Sequence, residues 1–328
     1  MIRFFRQGYL LQYLAIVAIS ILLWLPTFIG QIDVVEPYRG AILYDFIYNI
    51  CGVSYMTLKV VAFVVFTITA ILFNAFLSAN MFIPKNSAIG AFFFVVTMCA
   101  NPTMTSFCPF LFACPLIMSS IYIIFQIYKT EKPEPYILNS SIILSIASMI
   151  MPTTAFLVPF IMTALLIFGF SKTNFMLIPI IGFIVPYLLI FSGYYIFCDY
   201  ETVLYNCYLI INDVFFGFAP LGRTKTLITS IAAVLFVIIY FTIKSNDNSV
   251  KKNKNLSVIM TLFVFSIIIT SMGNGLEANG LTMLVLSTVL AMLTGFSKKI
   301  FILEISTDLL FAAVVLLNYS KLIGLEVF

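Results

Sequence analysis

The chain has 328 residues, of which 62% are hydrophobic and only 9% are charged. Soluble domains carry about 25% charged residues, so this composition excludes a water-soluble globular protein of this length. The sequence contains no histidine, which excludes His-ligated zinc or haem, histidine general bases and Ser-His-Asp triads. The net charge of +4 is informative about topology only when the positions of the cations along the chain are considered.

Apolar stretches of about 20 residues recur along the chain, each long enough to cross ~30 Å of hydrocarbon. They lack the alternation of barrel strands, and lipid offers no partners for open backbone groups, so the spans are predicted to be α-helices. We therefore predict an all-α, polytopic transmembrane bundle of about eleven spans. In chain order the predicted spans are Leu10–Ile29, Thr57–Met81, Ser87–Ala100, Pro109–Tyr128, Ile137–Ile150, Ala155–Phe170, Phe175–Phe197, Thr226–Ile243, Leu256–Met272, Leu281–Phe296 and a last span that starts between Ile300 and Leu309.

The distribution of cations predicts the orientation of the bundle. With the N-terminus inside, 12 of the 17 Lys and Arg residues fall on the cytoplasmic side and 5 fall outside. The positive-inside rule favours this topology over its inverse. We therefore expect a multipass protein of the cell inner (plasma) membrane with a cytoplasmic N-terminus and a periplasmic C-terminus. Trp24, the single tryptophan, is expected to be an interface anchor.

Two predicted hairpins turn outside on a Pro-Thr pair, at Pro102-Thr103 and at Pro152-Thr153. Each turn follows an apolar stretch of roughly 14 residues, which is short for a full span. One interpretation is that Pro-Thr simply suits a tight turn. The alternative is that short helices leave both turns submerged, where they line a polar cavity that tolerates irregular backbone.

The first outside loop carries two carboxylates and a guanidinium, at Asp33, Glu36 and Arg39. Two acids can act as a base or as ligands of a divalent cation, and an arginine beside them can bind phosphate. The alternative is a solvated loop with ordinary charges. The next segment, Ala41–Gly52, alternates polar and apolar residues and is predicted to be a helix in the membrane interface that roofs a pocket at the outer surface.

The longest outside loop, Cys198–Thr224, precedes the eighth predicted span, and long loops in compact proteins are often functional. Arg223 and Lys225 lie at its end, at headgroup height. They could hold a lipid phosphate or act as snorkelling anchors. Cys198 and Cys207 share this loop, and a disulfide between them is a candidate because the outside permits one.

Glu304 and Asp308 lie four residues apart, on one helical face. If the last span begins at Ile300, Asp308 lies about 12 Å deep by helical rise, and an acid at that depth indicates function. If the span begins near Leu309, both acids lie at the cytoplasmic interface without special meaning.

The arrangement of an inside N-terminus, an acid-bearing outside loop, an interfacial helix, two short hairpins and a larger outside loop resembles the polytopic C-type glycosyltransferase superfamily. This resemblance covers residues 1–225 as a predicted core, with outside loops 30–56 and 198–224. Residues 226–328 would form the C-terminal helices. The stretches Met1–Arg6, Leu22–Pro26 and Phe73–Asn80 also look like those of multipass inner-membrane proteins of the Bacteroidota.

The resemblance implies an enzyme that uses polyprenyl-phosphate-linked sugar at the periplasmic face. It implies that Asp33 or Glu36 is the general base or a ligand of a divalent cation. Arg39, with Arg223 or Lys225, would hold the donor phosphate. Many members of the superfamily carry adjacent acids, whereas two valines separate Asp33 from Glu36 here. This departure leaves a non-catalytic relative as an alternative.

Two other functions remain open from the sequence. Glu304 and Asp308 would suit a secondary transporter or flippase, although no second copy of the first seven spans is visible. A non-enzymatic component of an envelope complex is the third hypothesis. The sequence carries no haem, nucleotide or zinc motif, and its basic run at 244–254 is too short and too close to the membrane to indicate nucleic-acid binding. Membrane lipids are the expected partners.

Overall fold

The computed structural model of the chain describes residues 1–7, 10–29, 41–51, 54–197, 250–272, 279–296 and 300–320. Every regular element in these ranges is helical. Short 3₁₀ helices lie at Pro102–Thr105, Ile127–Lys129 and Pro152–Phe156. The α-helices are α1 Ile2–Phe5, α2 Leu10–Ile29, α3 Ile42–Cys51, α4 Tyr55–Ala79, α5 Ile89–Cys99, α6 Pro109–Gln126, α7 Glu134–Ile150, α8 Leu157–Phe168, α9 Thr173–Phe197, α10 Val250–Met272, α11 Gly280–Phe296 and α12 Ile300–Ser320.

Five helices in the described part of the chain are long and apolar enough to cross a membrane. They contain the stretches Leu10–Ile29, Tyr55–Ala79, Pro109–Gln126, Thr173–Gly193 and Asn253–Thr270. Other apolar helices, such as α5, α7 and α11, are shorter. The prediction of an all-α chain with apolar membrane-crossing helices is therefore confirmed for these residues, and the predicted eighth span lies outside them.

Polar contacts between distant parts of the chain define two ends of the bundle. At the N-terminal end, the Phe5 carbonyl accepts the Ala88 amide at 2.8 Å, and the Arg6 guanidinium donates to the Thr294 carbonyl at 2.7 Å. At the opposite end, the Tyr44 hydroxyl donates to the Phe107 carbonyl at 3.2 Å. Successive helices from α4 to α9 lie along the axis between these two ends, and the short helices α5 and α8 cover only part of it.

Helix α5 lies in the centre of the bundle, and all 11 of its residues are buried. A helix that is apolar on every side is stable only when it is covered on every side. Helices α2, α4, α11 and α12 supply this cover. Both terminal residues of α5, Ile89 and Cys99, are buried, and by helical rise the helix is about 16 Å long, roughly half of a ~30 Å hydrocarbon core.

Two asparagines from other helices bond the ends of α5. The Asn74 Oδ1 atom accepts the Ala91 amide of the first turn at 3.3 Å, while its Nδ2 atom donates to the Ser87 carbonyl at 2.8 Å and to the Tyr13 hydroxyl at 2.9 Å. At the other end, the Asn318 Nδ2 atom donates to the Cys99 carbonyl at 2.9 Å. These bonds satisfy backbone groups that would otherwise lack partners in an apolar interior.

Aromatic rings fill the space around α5. Phe5 stacks on Phe92 with ring centroids 4.7 Å apart, which fixes the N-terminal segment to the bundle. Trp24 is fully buried, with its ring 5.4 Å from that of Phe66. The prediction that Trp24 is an interface anchor is therefore wrong, because the rings of α4 enclose it within the α2–α4 contact.

Small residues bring α7 close to its two neighbours. The Ser120 and Ser140 hydroxyls are 2.9 Å apart across α6 and α7, and Ser145 donates to the Phe183 carbonyl of α9 at 2.7 Å. At Gly182 of α9 a β-carbon would lie 2.9 Å from the Ser141 Cβ atom. Small residues and hydroxyl groups of this kind allow membrane helices to pack closely.

Replacing Asn74 with alanine should destabilise the protein, because the Ala91 amide and the Ser87 carbonyl would lose their partner in a buried place. We expect a loss of about 1–3 kcal/mol in the free energy of unfolding. The control is Asn139→Ala, at an exposed position of α7. Unfolding in mixed micelles measures both variants, and equal stability of the two would contradict the proposed role of Asn74.

Gly182 and Gly193 lie on the same helix and form a matched pair. Gly182→Ala should cost about 1–3 kcal/mol through overpacking against α7. Gly193, where a β-carbon meets nothing within 4 Å, should tolerate alanine or gain up to about 1 kcal/mol from helix propensity. Thermal unfolding in detergent compares the two, and a Gly182→Ala variant as stable as Gly193→Ala would refute the close α7–α9 contact.

Candidate functional site

Most of the predicted site residues lie outside the described residues. These are Asp33, Glu36, Arg39, Arg223 and Lys225, together with the predicted Cys198–Cys207 pair. The structure does describe both flanks of the first acid-bearing loop, at Ile29 and Ala41. Both flanks lie at the opposite end of the bundle, so the candidate site is built from the residues described there.

Helix α3 forms where the sequence predicts a helix in the interface. Its Tyr44 is fully buried, and the Tyr44 ring lies 5.6 Å from that of Phe107. Phe46 and Ile50, on the other side, are more than half exposed. One face of α3 therefore packs on the bundle over the first Pro-Thr turn while the other faces outwards, as expected of an amphipathic helix.

Residues of both Pro-Thr turns are buried, and Thr103 of the first turn is partly exposed. Each forms a short 3₁₀ helix, and in the first turn Asn101 Oδ1 accepts the Thr103 amide at 3.3 Å and its hydroxyl at 2.9 Å. Thr105 in the first turn and Thr154 in the second are almost fully buried. Of the two interpretations left open by the sequence, this burial favours submerged turns, since short α5 ends inside the protein and α3 covers the first turn.

Lys59 is a buried cation at this end of the bundle, and its role is not apparent from sequence. It is 3% exposed, and its ammonium donates to the Thr27 carbonyl near the end of α2. The ammonium also lies 4.5 Å from the centroid of the Tyr55 ring. A cation near a helix C-terminus is stabilised by the helix dipole. The sequence does place this lysine inside a predicted span, where ionisable residues usually indicate function.

Two further polar groups lie in apolar surroundings at the same end. The Asp45 Oδ1 atom on α3 is buried and makes no hydrogen bond in the described structure. Its burial raises the pKa of the Asp45 carboxyl above the ordinary value of 3.8. The Thr153 hydroxyl of the second turn is also buried without a hydrogen bond there. Buried polar groups are normally hydrogen-bonded, so a buried group without such a bond calls for an explanation.

Glu304 and Asp308 lie at the N-terminal end, away from α3. The helix that carries them, α12, begins at Ile300. The Met1 ammonium is 3.4 Å from Glu304 Oε1 and 3.6 Å from Asp308 Oδ1, and Arg3 Nε is 3.5 Å from Glu304 Oε2. The Asp308 side chain is half exposed. These contacts make the two acids part of an ion-pair cluster with the N-terminal segment.

The described residues contain no group of three or more Cys, Asp or Glu residues placed to hold a metal ion. Within the same ranges no disulfide joins Cys51, Cys99, Cys108 and Cys114. The predicted ligands of a divalent cation, Asp33 and Glu36, lie outside the described residues.

Comparison with protein-family models, with curated proteins and with solved structures found no match to this chain.

Asp45→Asn should make the stability of the protein less dependent on pH. Because the folded-state pKa of Asp45 is raised, its contribution to stability is present below pH ~3.8 and is lost as the pH rises through the folded pKa. The variant should therefore gain stability relative to the parent as the pH rises from about 4 towards neutrality. Thermal unfolding in detergent across this range measures the difference, and a difference independent of pH would contradict the burial of an ionisable Asp45.

Proposed function

We propose that this chain is a multipass inner-membrane protein that resembles a C-type glycosyltransferase and acts on lipid-linked sugar at the periplasmic face. The observation that carries the proposal is the position of α3. It follows directly after the loop that contains Asp33 and Glu36, and it packs on a buried turn through Tyr44. An amphipathic helix in this place would roof a pocket at the outer surface in which a lipid-linked substrate reaches the loop.

The proposed topology has about eleven spans, a cytoplasmic N-terminus and a periplasmic C-terminus. The alternating directions of α4 to α9 support it, as does the concentration of cations at the N-terminal end of the bundle. The cations there include Arg3, Arg6, Lys85 and Lys254. In this topology the end formed by α3 and the two buried turns faces the periplasm.

In the proposed reaction, an acceptor hydroxyl attacks the anomeric carbon of the donor sugar. The bond from that carbon to the phosphate oxygen breaks, and the lipid phosphate leaves. Asp33 or Glu36 would take the proton of the attacking hydroxyl as general base, or would hold a divalent cation. Arg39, with Arg223 or Lys225, would bind the phosphate. Lys59 would add a fixed positive charge near this end.

The test uses the full-length protein in lipid nanodiscs with a synthetic polyprenyl-phosphate-linked sugar. Asp33→Asn and Glu36→Gln are compared with Glu131→Gln, an exposed acid in the loop after α6 at the N-terminal end. Loss of a general base should reduce sugar transfer by about 10²–10⁴-fold, whereas Glu131→Gln should leave it unchanged.

The lipid-linked sugar profile of cells that express the same variants gives a second readout, which does not require the acceptor to be known. Accumulated lipid-linked sugar is expected for the loop variants alone. An unchanged profile in both variants would contradict the catalytic proposal. Stable co-purification of an envelope partner with both variants would then support a non-enzymatic component. Sugar-lipid flux that depends on Glu304 and Asp308 would support a transporter or flippase.

A further inference from the structure

The two Pro-Thr turns lie side by side at the end of the bundle that carries α3. The Ser120 and Ser140 hydroxyls, 2.9 Å apart, fix the register of the antiparallel neighbours α6 and α7. Pro109 begins α6 after the first turn, and Ile150 ends α7 before the second. Each lies about 16 Å from the serine contact by helical rise. Both turns are therefore at the same level on neighbouring helices.

The second turn combines an unbonded hydroxyl with the C-terminal end of a helix. Thr153 is 6% exposed, and its hydroxyl makes no hydrogen bond in the described structure. Pro152 carries no amide hydrogen, so the Ser148 carbonyl in the last turn of α7 loses its usual helical donor. The C-terminal end of a helix also carries a partial negative charge. Interrupted helices of membrane proteins coordinate Na⁺ or H⁺ through such ends, so these surroundings favour a cation.

Asp45 supplies a carboxylate at the same end. It follows Tyr44 on α3, and this helix packs both on the first turn and against α7. The Asp45 Oδ1 atom is buried without a hydrogen bond, and Asp45 forms none of the ion pairs among the described residues. The buried Lys59 ammonium bonds instead to the Thr27 carbonyl. Burying a carboxylate oxygen costs free energy unless its charge is compensated, and a bound cation would offset that cost.

We propose that Asp45 and Thr153 share a binding site for one monovalent alkali cation, to which the Ser148 carbonyl contributes a further oxygen. Carboxylate and carbonyl oxygens are ligands that hard cations prefer. One carboxylate balances a single positive charge, whereas a divalent cation would leave a net charge in apolar surroundings. The described residues contain no group of three metal-ligating side chains that could balance a divalent ion there. The proposal goes beyond the proposed glycosyl transfer and does not depend on it.

The test uses the full-length protein in detergent, titrated with NaCl or KCl against choline chloride at constant ionic strength. An ion that binds only the folded protein stabilises it as its concentration rises, so the unfolding temperature should rise with one of the two alkali cations. Asp45→Asn and Thr153→Val each remove a ligand. Each should raise the cation concentration needed for a given stabilisation by about tenfold or more.

Glu131→Gln and Thr163→Val are the matched controls, and both should respond to the cation as the parent does. Glu131 is an exposed acid in the loop after α6, and the Thr163 hydroxyl donates to the Phe160 carbonyl of its own helix at 2.8 Å. Thr153→Ser keeps the hydroxyl and should also respond as the parent does, which separates the loss of a ligand from a loss of fold. Isothermal titration calorimetry should show one ion bound per parent molecule.

Three outcomes would overturn the proposal. Equal unfolding temperatures in the alkali and choline salts would mean that no alkali cation is bound. A response that is lost in Asp45→Asn but kept in Thr153→Val would mean that the two residues do not share a site. Stabilisation by CaCl₂ at concentrations far below those of NaCl and KCl would mean that the ion is divalent. Sugar transfer is measured separately in the Asp33 and Glu36 variants, so the two proposals fail independently.

Discussion

Hydrocarbon offers no hydrogen-bond partners, so a helix that ends inside a membrane protein needs protein groups to bond its terminal amides and carbonyls. Helix α5 is in this position, since it is buried along its whole length and reaches only about halfway across a bilayer. Asn74 on α4 and Asn318 on α12 bond its two ends. Helices that are far apart in sequence are therefore held around one central helix by two amide side chains.

The length of α5 also determines what the opposite end of the bundle can contain. Because the helix stops early, the first Pro-Thr turn lies inside the protein, and α3 closes over it through Tyr44 and Phe107. The same end of the bundle also carries irregular backbone, buried hydroxyls, the partly buried Asp45 and the buried Lys59. Burial of these groups is costly unless each is bonded, and this cost distinguishes the region from the N-terminal end, where the charged groups pair at the surface.

The sequence was sufficient to predict the helical membrane character, the helix between 41 and 52 and the positions of the two turns. Each of these depends on local composition or on residues such as proline that act on their own backbone. The roles of Asn74, Asn318 and Lys59 depend on partners elsewhere in the chain. Asn74 binds Tyr13 and Ser87, for example, and no periodicity within α4 encodes those contacts.

The position of Trp24 likewise depends on contacts that its own segment does not determine. Its place near the end of a predicted span is typical of an interface anchor, but packing on Phe63 and Phe66 takes its ring into the core. From the sequence, Glu304 and Asp308 could lie either deep in the membrane or at its cytoplasmic surface. The structure shows their partners, which are the N-terminal ammonium and Arg3. The sequence was sufficient to choose candidate residues, whereas the residues that contact them could be identified only from the fold.

Hydrogen–deuterium exchange at single amides, with the protein in lipid nanodiscs, tests the central role of α5 most directly. The Ala91 amide belongs to a first helical turn, where amides ordinarily lack partners and exchange quickly. If Asn74 bonds it inside the protein, the Ala91 amide should exchange as slowly as the amides in the middle of α5. The Tyr136 amide, in the exposed first turn of α7, should exchange fast. Comparable fast exchange at Ala91 and Tyr136 would contradict a buried, asparagine-bonded start of α5.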